Sequence, residues 1–215
     1  MSGDGAPLPP TRWVLDTERG DGYADRFEQL IADGEDVVGE ARLADVLLPR
    51  GGAVLDAGSG IGRIGAELRR RGHRVVAAEP DPVLVARSRT LYPDLAVLPH
   101  EILELTPDLL TDAGGPASFD LVVAVGNVLT FVAEGTEVAV LARLRELLAP
   151  GGRVLVGFHL EGGPSTARDC SPAQFRGEVA AAGLRVVHHF GGYDLRPADD
   201  SYAVWVLDAP ATGSS

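Results

Sequence analysis

Residues 54–62 read Val-Leu-Asp-Ala-Gly-Ser-Gly-Ile-Gly, and no other stretch restricts the fold of this chain as strongly. A short apolar run ends in an acid, Asp56, and glycines follow at alternate positions, Gly58, Gly60 and Gly62. Behind them Arg63 to Arg71 has helical spacing. The pattern predicts a strand, a tight turn and a helix start, the arrangement by which an α/β sheet opens a ligand site. Glycine tolerates positive φ and lets the backbone approach a ligand that a Cβ would hold off. Two cofactor patterns overlap in these letters. Gly60-x-Gly62-x-x-Gly65 satisfies a dinucleotide fingerprint. Asp56-x-Gly58-x-Gly60-x-Gly62 sets a carboxylate ahead of the glycines, which suits a cationic group and repels a pyrophosphate.

The 215 residues suffice for one well-cored α/β domain, and 45% hydrophobic with 23% charged residues is ordinary globular composition. A formal net charge of -12 argues against non-specific binding to nucleic acid, because no positive field displaces phosphate counterions. Arg69-Arg70-Arg71 reads as the solvated last turn of a helix, where cations suit the dipole. A single cysteine, Cys170, excludes an internal disulfide and a multi-cysteine metal site, and reads as a plain loop or surface thiol. No Asp/His cluster has metal-ligand spacing, so no metal is expected. Met1 to Pro10 lacks the pattern of a signal peptide, and no apolar run approaches the ~20 residues that span a bilayer. The expectation is a cytoplasmic protein without membrane or nucleic-acid partners, a monomer or homodimer.

Residues 1–10 and 209–215 read as mobile tails around one domain of residues 11–208, in which 11–50 form a helical lid. Helical spacing from Tyr23 to Leu48 is broken at Asp33-Gly34-Glu35-Asp36, giving two lid helices. Strands are expected at 53–57, 74–78, 95–98, 118–125 and 153–158, with helices after the first (61–71), the second (to about Leu91) and the fourth (Val138 to Leu148). Asp81-Pro82 and Ser171-Pro172 open helices, and Pro150-Gly151-Gly152 closes one. Residues 184–190 and 202–207 then form two strands with no helix pattern between them, which makes them antiparallel neighbours. The sheet is therefore parallel with a hairpin at one edge.

With these features in place, the chain from Tyr23 to Leu207 resembles the class I S-adenosylmethionine-dependent methyltransferases. The carriers are Asp56 with its glycines, Glu79 at the end of the second strand, Pro99-His100-Glu101-Ile102 after the third, and Leu148-x-Pro150-Gly151-Gly152 ahead of the fifth strand and the final hairpin. The resemblance implies a Rossmann-like doubly wound seven-stranded sheet, parallel with one antiparallel edge hairpin strand, whose last strand inserts beside the fifth. It implies S-adenosylmethionine as cofactor, bound by Asp56, Ala57, Gly58, Ser59, Gly60 and Gly62 in the loop. Glu79 and Pro80 would take the ribose, Glu101 and Ile102 the adenine, and Val125 and Gly126 the end of the fourth strand. Gly65 is left to helix–sheet packing. A dinucleotide-dependent oxidoreductase is the competing reading of the glycines.

Methyl transfer needs a nucleophile held in line and water excluded, so the candidates lie beyond the carboxyl ends of the strands. Asn127 is expected to bind substrate or cap the helix entering at Val128. Gly126-Asn127-Val128-Leu129 lacks the Asn-Pro-Pro-aromatic motif of DNA amino-methyltransferases. His159 is the preferred base; His100 lies near the adenine acid, and His73, His188 and His189 have no expected site role. Tyr23 and Arg26 share a lid-helix face, Tyr23 to cover the methyl group and Arg26 to meet the cofactor's carboxylate, against the alternative of a surface pair flanking Phe27. Tyr193 and Arg196 in the hairpin connection are handles on the other wall. The expected reaction is methyl transfer to a small-molecule acceptor. A cofactor-binding sensor without activity and an aminopropyl transferase keep the same fold. The sensor would have a filled cavity, and the transferase would want acids that Gly126 to Ala133 lack.

Overall fold

The computed structural model of the chain describes residues 8–15 and 19–210. The expected tails lie largely outside the described residues. In chain order the elements are α1 (Arg19–Ala32), α2 (Gly39–Leu47), β1 (Ala53–Ala57), α3 (Arg63–Arg70), β2 (Arg74–Ala78), α4 (Pro82–Leu91), β3 (Ala96–Leu98), α5 (Pro107–Asp112), β4 (Phe119–Ala124), α6 (Val128–Phe131), α7 (Glu137–Glu146), β5 (Leu148–His159), α8 (Pro172–Ala181), β6 (Arg185–Phe190) and β7 (Tyr202–Asp208).

The strands form one sheet in the order β3-β2-β1-β4-β5-β7-β6. Pairings from β3 to β5 are parallel, and β7 is antiparallel to both β5 and β6. β6 is thus the outer member of the hairpin and β7 the inserted one, as the family resemblance implies. The order reverses between β1 and β4, and a crevice opens there beyond the strand ends.

Side-chain alternation along each strand divides the core in two. Leu55 and Ala57 of β1, Val122 and Ala124 of β4, and Trp205 of β7 face the layer of α7 and α8, where Leu144 and Phe175 are buried. Val54, Leu121, Val123, Leu155 and Val206 face the layer of α2 and α3 with Ala41, Ala44, Ile64 and Leu68. The two helices expected as a lid therefore differ. α2 packs its Ala41, Leu43 and Ala44 against the sheet, whereas α1 lies beside α4, tied by Arg87 to Asp25 at 3.0 Å and Glu28 at 3.1 Å.

Three local departures have clear causes. α5 was absent from the sequence reading, yet Thr106 caps it by accepting the Leu109 N–H at 3.2 Å ahead of Pro107, a Thr-Pro start signal for a helix of only six residues. Pro150-Gly151-Gly152 does not separate helix from strand. Leu148 already pairs with Phe119, and the register slips before Arg153 pairs with Leu121, so these residues form an irregularity inside β5. Cys170 is buried in the core, not on the surface, and burial pushes its thiol up to about 11, which makes it an inert packing residue.

Candidate active site

The turn after β1 is built as its letters predict. Gly60 has φ 58° and is covered by the Tyr23 ring; a Cβ there would meet the ring edge at 3.0 Å. Gly58 and Ser59 donate their N–H groups to the Ala78 carbonyl at 2.8 and 3.1 Å, pinning the turn to the end of β2. Glu79, the next residue, is buried and accepts the Gly60 N–H at 2.8 Å on one oxygen and the Asp81 N–H at 2.9 Å on the other. Burial raises its carboxyl to about 7 against those hydrogen bonds.

A narrow cleft runs from this turn across the strand ends. Gly58, Gly60, Glu79, Pro80, Glu101, Ile102, Val125 and Gly126 line it, all of them expected cofactor residues. Leu84, Val128, Phe131 and Val132 complete apolar walls that sequence reasoning had not named. One edge therefore carries a carboxylate, Glu79, beside backbone amides; the far end carries a second, Glu101, raised by burial and by the neighbouring charge of Glu104.

Four of the expected loop contacts, Asp56, Ala57, Ser59 and Gly62, line neither this cleft nor the larger chamber beside it. Asp56 is 2% exposed and turns toward α3, where its Oδ2 accepts the Gly65 N–H at 2.8 Å. Strand parity is the reason: Asp56 shares the face of Val54, under α3, and cannot also point along the crevice. Burial raises its carboxyl to about 7. Asp56 thus orders the loop from beneath and acts on a ligand only through that backbone and its field. Gly65 is small because this carboxylate and Leu95 sit against it, consistent with the packing role expected of it.

The chamber, of about 930 Å³, continues from the cleft and shares Trp13, Tyr23, Gly126 and Phe131 with it. Asn127, His159, Tyr193, Arg26 and Arg196, drawn from α6, β5, the hairpin connection and α1, meet on its wall. Tyr23 and Arg26 both line the cavity, Tyr23 half-buried and Arg26 exposed. His100 is instead 3.3 Å from Glu104, His73 is 2.9 Å from Asp45, and His189 stacks on Trp205 with ring centroids 3.6 Å apart.

Asn127 occupies a left-handed conformation, φ 75°, and is buried. Its side chain makes no helix cap; its Oδ1 accepts the His159 backbone N–H at 2.8 Å and lies 3.1 Å from His159 Nδ1. The His159 ring meets Tyr202 edge-on at 4.8 Å, and burial lowers its basicity below the usual 6.5. The Tyr193 and Tyr202 hydroxyls are 2.9 Å apart. Burial pushes Tyr202 to about 12 and Tyr193 well above its usual value, so both stay neutral phenols. Gly157 makes room for the pair; a Cβ there would collide with the Tyr193 hydroxyl and meet that of Tyr202 at 2.9 Å.

Two contributors were missed by the sequence reading. Trp13 lines both cavities, donates its Nε1–H to Asp81 Oδ2 at 2.7 Å and packs edge-on against Tyr23 at 5.7 Å. Arg63 is 7% exposed and forms a two-pronged pair with Glu40, at 2.5 and 2.9 Å, while it also donates to the Val37 carbonyl. It lies 4.7 Å over the Phe27 ring and beside the Tyr23 hydroxyl. A cation in the first turn of a helix opposes the dipole. That breach of a local rule, directly after the glycines, was the available signal for a special role.

The lining fits a nucleoside: two acceptor carboxylates, Glu79 and Glu101, apolar walls for a flat base, and no lysine or arginine among the described residues that line the cleft. These features define an α/β protein of the nucleoside-cofactor class, with a second chamber beside the cleft. Comparison with known proteins makes the class specific. A methyltransferase-domain family model matches residues 55–154. A solved TehB-like S-adenosylmethionine-dependent methyltransferase from Corynebacterium glutamicum is 31% identical and superposes with a TM-score of 0.78 over 90% of this chain and 100% of that one. The chain belongs to the class I S-adenosylmethionine-dependent methyltransferase family. Carboxy-S-adenosyl-L-methionine synthase of Pseudomonas entomophila (strain L48) is 34% identical over 119 residues, 50% of this chain and 45% of that protein, so the chain spans less than half the length of this curated relative. The 1,6-didemethyltoxoflavin-N1-methyltransferase of Burkholderia thailandensis, solved with its acceptor and S-adenosylhomocysteine bound, shares the fold at 23% identity and a TM-score of 0.60, over 94% of this chain and 92% of that one.

Proposed function

We propose that the chain transfers a methyl group from S-adenosylmethionine to a small-molecule acceptor, as a single cytoplasmic domain of residues 11–208 with 11–50 as its cover. When bound, the cofactor supplies a methyl group on a positively charged sulfur, already activated for displacement. Glu79 accepts hydrogen bonds from the ribose hydroxyls, and Glu101 with the Ile102 backbone reads the adenine. Gly58 and Gly60 let the backbone pass close to the cofactor, with Ala57, Ser59 and Gly62 shaping the turn and Asp56 holding it from below. Val125 and Gly126 flank the reacting centre. Tyr23 covers it, and Arg26 is the cation that meets the cofactor's carboxylate. The acceptor occupies the chamber, where it displaces water and where His159, Asn127 and Tyr193 are the groups in reach of it. A neutral His159 is suited to take a proton from an acceptor that starts protonated.

The observation that carries this reading is the open chamber joined to the cofactor cleft at Tyr23 and Gly126. A cofactor sensor needs no such space. The acidic charge of the chain supports a small acceptor and not a nucleic acid, and among the described residues no helix is long and apolar enough to cross a membrane. We take the unit to be a monomer or homodimer. The test is incubation with methyl-labelled S-adenosylmethionine and a small-molecule metabolite extract. Label should appear in an extracted product with the wild type and not with Gly60→Val. Cofactor binding with no labelled product from any extract would favour the sensor.

A further inference from the structure

We propose that Asn127 is a positioning residue that fixes the tautomer of His159, and that the acceptor is a phenol-like hydroxyl compound whose proton passes to His159 Nε2. This rests on the methyl-transfer reading and adds the chemical class of the acceptor.

The tautomer follows from one backbone hydrogen bond. An amide side chain can face either way, but here the oxygen of Asn127 must face β5, because it accepts the backbone N–H of His159 at 2.8 Å. That same oxygen lies 3.1 Å from His159 Nδ1 and has only lone pairs to offer. Nδ1 must therefore carry the hydrogen, and Nε2, across the ring, is left with the free lone pair. Asn127 is held for this task by its left-handed backbone, by its own N–H donating to the Gly157 carbonyl at 3.0 Å, and by the Thr130 N–H donating to its carbonyl at 2.9 Å. β4 and β5 are paired neighbours, so the two residues stand side by side at the strand ends.

The acceptor class follows from what such a base is useful for. An aryl amine attacks through a lone pair it already has, and an alkylammonium would bring a further cation beside the sulfonium into a chamber already lined by Arg26, Arg63 and Arg196. A thiol, at an ordinary pKa of about 8.5, ionises substantially unaided. A hydroxyl is a strong nucleophile only as its proton leaves. An alkyl hydroxyl is too weak an acid for an imidazole whose basicity is already lowered, whereas a phenol, at about 10 like tyrosine, is within reach. The chamber walls agree with a flat ring: Trp13 and Phe131 pack edge-on at 5.1 Å, Tyr193 and Tyr202 lie 5.8 Å apart, and Phe27 joins them in the lining. In the transfer the phenol O–H proton goes to His159 Nε2. The oxygen bonds to the methyl carbon as the methyl–sulfur bond breaks, and that electron pair stays on sulfur. The proton later leaves the imidazolium for solvent.

The neutral phenol of Tyr202 on β7 packs against His159, and the other titratable groups that share its chamber are Tyr193, Asp194 and Arg196 of the hairpin connection, Tyr23 and Arg26 of α1, and the internally neutralised Arg63–Glu40 pair. Asp194 and Arg196 are 3.9 Å apart and offset each other.

Two measurements on the full chain with S-adenosylhomocysteine bound test the proposal. Nitrogen-15 NMR of the histidine rings should place the hydrogen of neutral His159 on Nδ1, and Asn127→Gly, which suits the left-handed backbone, should release that preference. Asn127→Asp should keep the geometry and raise the His159 pKa by about one unit or more, as an adjacent carboxylate does. A role limited to satisfying the His159 backbone would leave the tautomer unchanged in Asn127→Gly. Second, 4-nitrophenol should bind, and its bound form should ionise at a pH about one unit lower in the wild type than in His159→Gln. An Nε2–H tautomer in the wild type overturns the Asn127 assignment. No binding of the phenol, or the same ionisation in both proteins, overturns the acceptor class. Calorimetry with S-adenosylhomocysteine separates these failures from failure of the underlying reading: if the wild type does not bind it, the methyl-transfer reading falls and takes the proposal with it.

Discussion

Replacing Glu40 with alanine isolates the energetics of the cationic network under the lid. Arg63 is 7% exposed, and Glu40 is its only carboxylate partner within 4.0 Å among the described residues, reached at 2.5 and 2.9 Å. Removing one member of a fully buried ion pair costs about 3–5 kcal/mol, most of it the penalty of a stranded charge. Four features reduce that figure here. Arg63 keeps its hydrogen bond to the Val37 carbonyl, its contact with Tyr23 and the Phe27 face at 4.7 Å, and cation–π contacts supply about 0.5–2 kcal/mol. The adjoining chamber also admits water. We therefore expect Glu40→Ala to destabilise the protein by about 2–3 kcal/mol, below the fully buried case. The assay is urea unfolding, read as a lower midpoint at unchanged slope. The double variant Glu40→Ala/Arg63→Met should be more stable than Glu40→Ala alone, because it removes the stranded charge and relieves a helix dipole conflict of about 0.3–1 kcal/mol. A change under about 0.5 kcal/mol in Glu40→Ala, the range of ordinary surface substitutions, would refute this reasoning, as would additive losses in the double variant.

Two further outcomes are expected. Asp56 and Glu79 have carboxyls raised to about 7 from usual values of 3.8 and 4.5, so the native state keeps protons that the unfolded chain has released. The sign is that this stabilising contribution is complete below those usual values and is lost as pH rises through about 7; urea midpoints should fall from pH 5 to pH 8, and Asp56→Asn should flatten the fall. Gly157→Ala should cost about 1–3 kcal/mol by driving apart the Tyr193–Tyr202 pair, measured by thermal unfolding, while calorimetric affinity for S-adenosylhomocysteine stays near wild type because the cofactor cleft lies elsewhere.

What could be read from the sequence, and what could not, divides along a physical line. The strand–turn–helix at Asp56 to Arg70 was legible because glycine spacing reports local backbone conformation, and the terminal hairpin because a missing crossover helix leaves only antiparallel pairing. The ends of β4 and β5 followed from those strands, so Asn127 and His159 were expected beyond them, where both line the chamber. Their mutual hydrogen bond was not, because it depends on a left-handed backbone at a residue other than glycine. The target of Asp56 was missed for a similar reason: its letters gave the charge, but only sheet parity directs it beneath α3 toward Gly65 and out of the crevice. The Arg63–Glu40 pair joins residues 23 positions apart on different helices, and no single-sequence periodicity links them. Trp13 precedes the regular elements altogether. Local geometry was written in the letters; long-range pairing of charges and rings emerged only from the packed layers.

The central claim is that the cleft beside Gly58 and Gly60 binds S-adenosylmethionine and not a dinucleotide. Isothermal titration of the full chain with S-adenosylhomocysteine, S-adenosylmethionine and NADH addresses it directly. Both sulfur compounds should bind at one site, NADH should give no heat of binding, and Gly60→Val should abolish the signal by putting a branched side chain into Tyr23 at a backbone φ of 58°. Binding of NADH with no binding of either sulfur compound would contradict the account.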